Sequence, residues 1–143
     1  MRKFFVGLLV VAFAVGGAVA QAPAQFPTGP DIPLNIKPYF LALLMRTPQP
    51  QGAPEALPPE LLAAHLAFIH KQVDAGKYVV VGPVLDHGPI GGIAVVQAAT
   101  LEEAKTIANG DPMVAAGRTS IEVRPVMLVD LSAVKAIYPP SAK

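Results

Sequence analysis

The chain has 143 residues, 52% of them apolar and 15% charged, with a formal net charge of +1 and no cysteine. That length allows one domain plus processing segments, and so apolar a composition excludes a disordered acidic or basic chain. Without cysteine there is neither a disulfide nor a thiolate site for zinc or an iron–sulfur cluster, so packing alone must hold the fold.

Met1-Arg2-Lys3 is a short basic stretch, Phe4 to Val15 is apolar, and Ala18-Val19-Ala20 has the A-x-A form of a cleavage site. These features predict a signal peptide over residues 1–20 and a periplasmic or secreted chain starting near Gln21. The apolar run is short for a membrane span and no stop-transfer pattern follows it, so no membrane association is expected after cleavage. Loss of Arg2 and Lys3 takes the formal charge from +1 to −1. The remaining lysines and arginines are scattered singly, which argues against a nucleic-acid partner.

Residues 21–36 carry Pro23, Pro27, Pro30 and Pro33 with no apolar period, so they read as an extended tether. The folded domain is expected over residues 37–131. Its first strand is Lys37 to Arg46, followed by a Pro/Gly-rich loop to Pro58. From Pro59 to Gly76 the spacing predicts a helix. Leu62, Leu66, Ile69 and Val73 recur at steps of four, three and four and form one stripe. Pro58-Pro59 suits the start, and Gly76 suits the left-handed closing residue. At 100° per residue, His65 lies roughly 70° to one side of that stripe, where a core helix meets a cleft.

Lys77 to Val81 reads as a second strand broken by Gly82-Pro83. Asp86-His87-Gly88-Pro89 is turn chemistry that leaves His87 in solvent, and Gly91 to Ala98 is a third strand. Thr100 with Glu103 three residues on is a capping box, opening a second helix to about Ala108 that Asn109-Gly110 ends. Asp111-Pro112 restarts a short turn with Asp111 as N-cap, and Gly117 ends it. Thr119 to Leu131 is the last strand, and Pro125 within it suits an edge or a bulge. Residues 132–143 form a tail, with a loose helical turn ending at Tyr138-Pro139-Pro140.

The order βαββαβ implies an α+β, ferredoxin-like sandwich, both helices on one face of a four-stranded antiparallel sheet. The strands do not alternate apolar and polar residues as one wet face requires. Tyr39, Leu41, Leu43 and Met45 oppose Phe40, Ala42 and Leu44, all of them apolar or aromatic. Two helices cover one face only, so a homodimer through the other is expected.

His65-Leu66 in the first helix, Gly76, Gly82-Pro83, and Asp111-Pro112 followed by Gly117 stand in an order that resembles the YCII-related family of the dimeric α+β barrel superfamily. The likeness spans residues 38–131. It implies a ferredoxin-like fold dimerised through sheet faces and a His–Asp pair as the active site, matched here by His65 and Asp111. The family's arginine shortly before the histidine is replaced here by Pro58-Pro59-Glu60. Asp111 can cap its turn and orient His65 together, since a carboxylate has two oxygens. Gly82 and Pro83 shape a strand end and are candidates for lining a substrate cleft.

His65 and His70 lie about 140° apart around the helix, so they cannot share a metal, and neither a metal nor a cofactor is expected. No Gly-x-Ser-x-Gly elbow or phosphate-cradling glycine loop is present. The reading that follows is a cofactor-independent small-molecule enzyme transferring protons through His65 and Asp111, of isomerase, lyase or eliminating type. The alternative is a non-catalytic module that binds a small ligand or is purely structural.

Overall fold

The computed structural model describes residue 26 and residues 35–52 and 56–134. The segment read as a signal peptide, most of the one read as a tether and the end of the expected tail lie outside the described residues. In chain order the elements are β1 (Ile36–Arg46), α1 (Pro59–Asp74), β2 (Tyr78–Pro83) and β3 (Ile90–Val96). They are followed by α2 (Leu101–Asn109), α3 (Pro112–Ala115) and β4 (Thr119–Val129). The sheet order is β2-β3-β1-β4, with every neighbouring pair antiparallel. This is the ferredoxin-like arrangement.

Alternate residues of the two central strands face the helices. Phe40 pairs with Val96 and Ala42 with Ala94, and these four form the buried core with Tyr78 of β2 and Ala104 and Ala108 of α2. Ala42, Ala94, Ala104 and Ala108 are all fully buried. A helix faced with methyl groups against a sheet faced with methyl groups can approach closely, leaving no side-chain rotamers to order.

Both ends of α1 form as expected. Pro59 occupies the first turn, and Gly76 closes the helix with φ +66°. Two backbone bonds accompany it: Lys77 N–H to the Gln72 carbonyl and Gly76 N–H to the Val73 carbonyl, the Schellman pattern. The face of α1 that turns inward differs from the predicted one. It runs through Leu61, His65, Phe68, Ile69, Gln72 and Val73, leaving Leu62 and Leu66 about 42% and 41% exposed. That face is centred near His65, about 70° round from the leucine stripe.

Magnitudes explain the rotation. The Phe68 ring meets Tyr78 edge-on at 6.1 Å, a pairing that adds about 0.5–1.5 kcal/mol to its burial. Turning His65 inward also partners a buried carboxylate that would otherwise cost about 1–3 kcal/mol. Half-exposing two leucines forfeits only part of the ~1.5–3 kcal/mol each would gain from full burial.

Two further expectations are corrected. Gly82-Pro83 does not break β2 but continues it, with Gly82 opposite Ile93 and Pro83 opposite Gly92. Val84 N–H donates to the Gly91 carbonyl, so the ring nitrogen of Pro83, one residue earlier, turns away from β3. A proline is harmless there because β2 is an edge. The same parity holds for Pro125 on the other edge strand. Thr47 N–H to Arg118 and Asp130 N–H to Asn35 bracket the β1–β4 ladder, which places its bonded pairs at odd β1 residues. Pro125 lies opposite Phe40 and needs no donor.

Ordered packing also reaches back into the segment read as a tether. Phe26 sits edge-on against Phe40 with ring centroids 5.4 Å apart, among the residues packed on the core. A lone aromatic between prolines has no period to announce it.

On the opposite sheet face, Leu41 and Leu43 of β1 lie beside Val95 and Ile93 of β3. Val126 of β4 continues this apolar surface, and the Arg124–Glu122 ion pair borders it. No described helix packs on it, although Val95 and Tyr39 on this face are buried and the Tyr39 hydroxyl accepts from Leu131 N–H at 2.9 Å. Among the described residues no helix is long and apolar enough to cross a membrane.

Candidate active site

The site begins with two N-caps. Thr100 caps α2, its hydroxyl accepting from Glu103 N–H at 3.1 Å. The Glu103 carboxylate reaches back to Ala99 N–H at 2.9 Å and holds Lys77 Nζ at 2.8 Å, which ties the start of α2 to the start of β2. That Lys77 bond, more than the one from Ala99, keeps the Glu103 carboxyl below its ordinary range.

Asp111 caps α3, with Oδ1 accepting from Met113 N–H at 2.9 Å. The joint between α2 and α3 presses directly on α1. A Cβ at Gly110 would stand 3.2 Å from the Phe68 ring and 3.2 Å from the Ile107 carbonyl oxygen, tight contacts that a larger residue could make only if these neighbours gave way by a few tenths of an ångström. Phe68 is one turn after His65, and Gly110 is one residue before Asp111. The close approach at Gly110 therefore lies beside both site residues.

His65 Nδ1 lies 2.8 Å from Asp111 Oδ2 and 2.9 Å from Oδ1. Asp111 is 3% exposed and the His65 side chain 16%, so the bond is shielded from water while the ring still reaches a surface. A carboxylate accepts, so Nδ1 carries the hydrogen, and in the neutral ring the lone pair is then on Nε2. Nearby, the buried Tyr78 phenol is pushed far above its ordinary range, first by desolvation and then by the negative charge of Asp111. It stays neutral.

His65 lines a cavity of about 330 Å³ at the end of the sheet where β1 finishes and β4 begins. Leu44, Leu57 and Met113 supply apolar wall, and Thr47, Gln49 and Thr119 supply hydroxyl and amide groups. Arg46 and Arg118 complete the rim with Gly91. Arg46 also braces the β2–β3 hairpin, donating to the carbonyls of Gly88, Ile90 (2.6 Å) and Val84 (3.0 Å).

Of the four residues singled out from sequence, His65 and Asp111 meet directly. Gly82 and Pro83 do not join them. They stand within β2, separated from β4 by two strands, and are absent from the cavity lining. Sequence reasoning overlooked Arg46 and Arg118, although the topology held a clue. In this fold β4 runs antiparallel beside β1, so the last residue of one and the approach to the other share an end, as the Arg46–Thr119 pairing shows.

Two other hollows, of about 250 and 420 Å³, open at the opposite end of the strands around Gln97 and Ser132. Among the described residues no group of three or more His, Cys, Asp or Glu side chains is placed to hold a metal ion.

A four-stranded antiparallel sheet with both main helices on one face, and a His–Asp pair beneath a cavity at its end, defines a ferredoxin-like α+β domain. Residues 41–130 match the model of the YCII-related domain, and the chain belongs to that family. A solved structure with likeness is 5-chloro-2-hydroxyhydroquinone dehydrochlorinase from Burkholderia phenoliruptrix, in complex with 2,5-dihydroxybenzoquinone. It is 21% identical, the match covering 59% of this chain and 90% of that one with a TM-score of 0.41. No curated protein matches the chain.

Proposed function

We propose that this domain is a cofactor-independent enzyme that moves a proton on a small molecule, with His65 as the acid–base group and Asp111 as its orienting partner. The observation that carries this reading is the shielded 2.8 Å bond from His65 Nδ1 to Asp111 at the wall of a cavity. The bond commits Nδ1, so Nε2 is the nitrogen left to exchange a proton with a bound molecule. Nε2 takes the proton from a substrate carbon, and the imidazolium formed is stabilised by the carboxylate behind it. Returning the proton to a different atom gives isomerisation. Expelling a neighbouring leaving group with the electron pair gives elimination, the product then carrying a new double bond. Membership of the YCII-related family supports an enzyme-like role.

The tautomer tests this reading without a known substrate. In ¹⁵N-detected NMR at neutral to mildly alkaline pH, His65 is expected to hold its hydrogen on Nδ1, and Asp111→Asn should weaken that preference. A His65 ring found with its hydrogen on Nε2 would remove the base from the cavity.

The enzyme is also proposed to act as an exported homodimer, joined through the open sheet face. Export rests on Ala18-Val19-Ala20. Mass spectrometry of protein recovered from outside the cytoplasm should show a mature chain beginning near Gln21. Full-length chain confined to the cytoplasm would refute export.

A further inference from the structure

We infer that the Thr119 hydroxyl is the catalytic hydrogen-bond donor of this cavity, and that the substrate is a small neutral carbonyl compound whose oxygen it holds. The inference rests on the proton-transfer reading and supplies the half of that reaction that His65 cannot. Taking a proton from carbon leaves an electron pair behind. Next to a carbonyl, that pair forms a carbon–carbon double bond while the carbonyl π pair moves onto oxygen, giving an enolate. The oxygen gains charge in the transition state, and a donor already aimed at it lowers the barrier.

Most side-chain donors on the cavity wall are already engaged. The Arg46 fork is aimed at the hairpin carbonyls, and Arg118 has a partner of its own. Gln49 Nε2 donates to the carbonyls of Thr47 at 2.8 Å and Gly117 at 3.2 Å, which takes both hydrogens of its amide. Two lining hydroxyls remain, those of Thr47 and Thr119. Among the described residues neither hydroxyl has a hydrogen-bond partner.

Strand register separates the two. Ala42 lies opposite Val123 and Leu44 opposite Ile121, and Ala42, Val123 and Ile121 all pack in the core beneath the helices. Thr119, opposite Arg46 and two residues before Ile121, keeps that parity, so it faces the side on which α1 carries His65. Thr47 follows Arg46 on the other parity, where the chain leaves the strand. As a β-branched residue Thr119 has few χ1 rotamers, so its hydroxyl is placed before a ligand arrives. Leu44 and Met113 present carbon to the body of the substrate. A volume of about 330 Å³ holds on the order of ten non-hydrogen atoms, at the ~30 Å³ each water occupies in the liquid. A six-membered cyclic ketone fits that space.

Cyclohexanone added to the whole chain in deuterium oxide is the test. Each passage to the enolate and back replaces one α-hydrogen by deuterium. His65 Nε2 carries the hydrogen off, exchanges it with solvent and returns deuterium to the same carbon, so the ketone is otherwise recovered unchanged. Proton NMR of the ketone reads the rate, which the unaltered chain is expected to raise above that in buffer. Thr119→Val keeps the branched shape and loses the hydroxyl. It should slow the catalysed exchange by about 10²–10³-fold, the effect of removing one oxyanion donor. Affinity for the ketone should fall by less than about tenfold, because the neutral oxygen accepts a weaker bond. Thr119→Ser should restore most of the rate.

An equal catalysed rate in Thr119→Val removes Thr119 from the role. Should Thr119→Val not fold, the Thr119 methyl signal of the unaltered chain decides, and no shift on titration with the ketone overturns the assignment. The His65 tautomer is read from the same sample before the ketone is added. No acceleration with the hydrogen on Nδ1 sinks only the carbonyl assignment; with the hydrogen on Nε2, both readings fall. His65→Gln separates them further. Exchange that falls in Thr119→Val but persists in His65→Gln sinks only the proton-transfer reading, and the reverse pattern sinks only the assignment of Thr119.

Discussion

Replacing His65 by alanine is expected to lower turnover of any substrate the enzyme accepts by about 10²–10⁴-fold, the range for removing a positioned acid–base group. The sheet and its core should survive, because neither depends on the imidazole. His65→Ala also deprives the buried Asp111 of one partner, so a second variant is needed to separate chemistry from stability. His65→Gln meets that need, since its amide can still donate to the carboxylate but cannot carry a proton through the cycle. Both variants should be nearly inactive, with His65→Gln melting closer to the unaltered chain. Asp111→Asn should cost less activity, because an amide still caps α3 and accepts one hydrogen bond. Steady-state turnover together with thermal melts settles this, and full activity in His65→Gln would end the case for His65 as the proton carrier.

Leu41→Asp is expected to dissociate the proposed homodimer while leaving the monomer's core intact. Leu41 lies on the face the helices leave open, opposite Val95. A two-fold axis would bring two copies of the new carboxylate into one apolar interface. Burying such unpaired charges costs several kcal/mol, comparable to the 5–15 kcal/mol that holds a whole domain together. Leu44→Asp is the contrasting change. Leu44 lies on the helix-covered face and lines the cavity, so its damage should appear as a lower melting temperature of the monomer itself. Light scattering reads the first effect and a thermal melt the second. If the unaltered chain is monomeric at high micromolar concentration, the open face is not a dimer interface.

Much of this could be reached from residue order alone, for reasons that differ by element. The capping residues Thr100 and Asp111 and the closing glycines Gly76 and Gly117 act locally, so they mark their elements wherever those fold. The His65–Asp111 meeting was legible because βαββαβ connectivity puts both helices on one sheet face. Which arc of α1 turns inward was not legible, because two apolar arcs overlap. Choosing between them requires knowing that Phe68 will meet Tyr78 and Gly110. The continuation of β2 through Gly82-Pro83 depends on β2 being an edge strand, which only the sheet order reveals. Arg46 and Arg118 converge through the register between β1 and β4, and no motif spans the 72 positions that separate them in the chain.

The four buried alanines between α2 and the sheet set a mechanical tolerance for chemistry that happens elsewhere. Ala108 stands three residues before Asp111, and the intervening Gly110 is wedged against Phe68, so α2 is the rigid arm from which the carboxylate hangs. Hydrogen bonds are held to within a few tenths of an ångström of their best length, whereas one added methylene displaces its surroundings by more than that. Substitution on this face can only enlarge the side chain or reduce it to glycine. Among variants of this domain, drift at the alanines should therefore register as misalignment of the His65–Asp111 bond before it registers as unfolding.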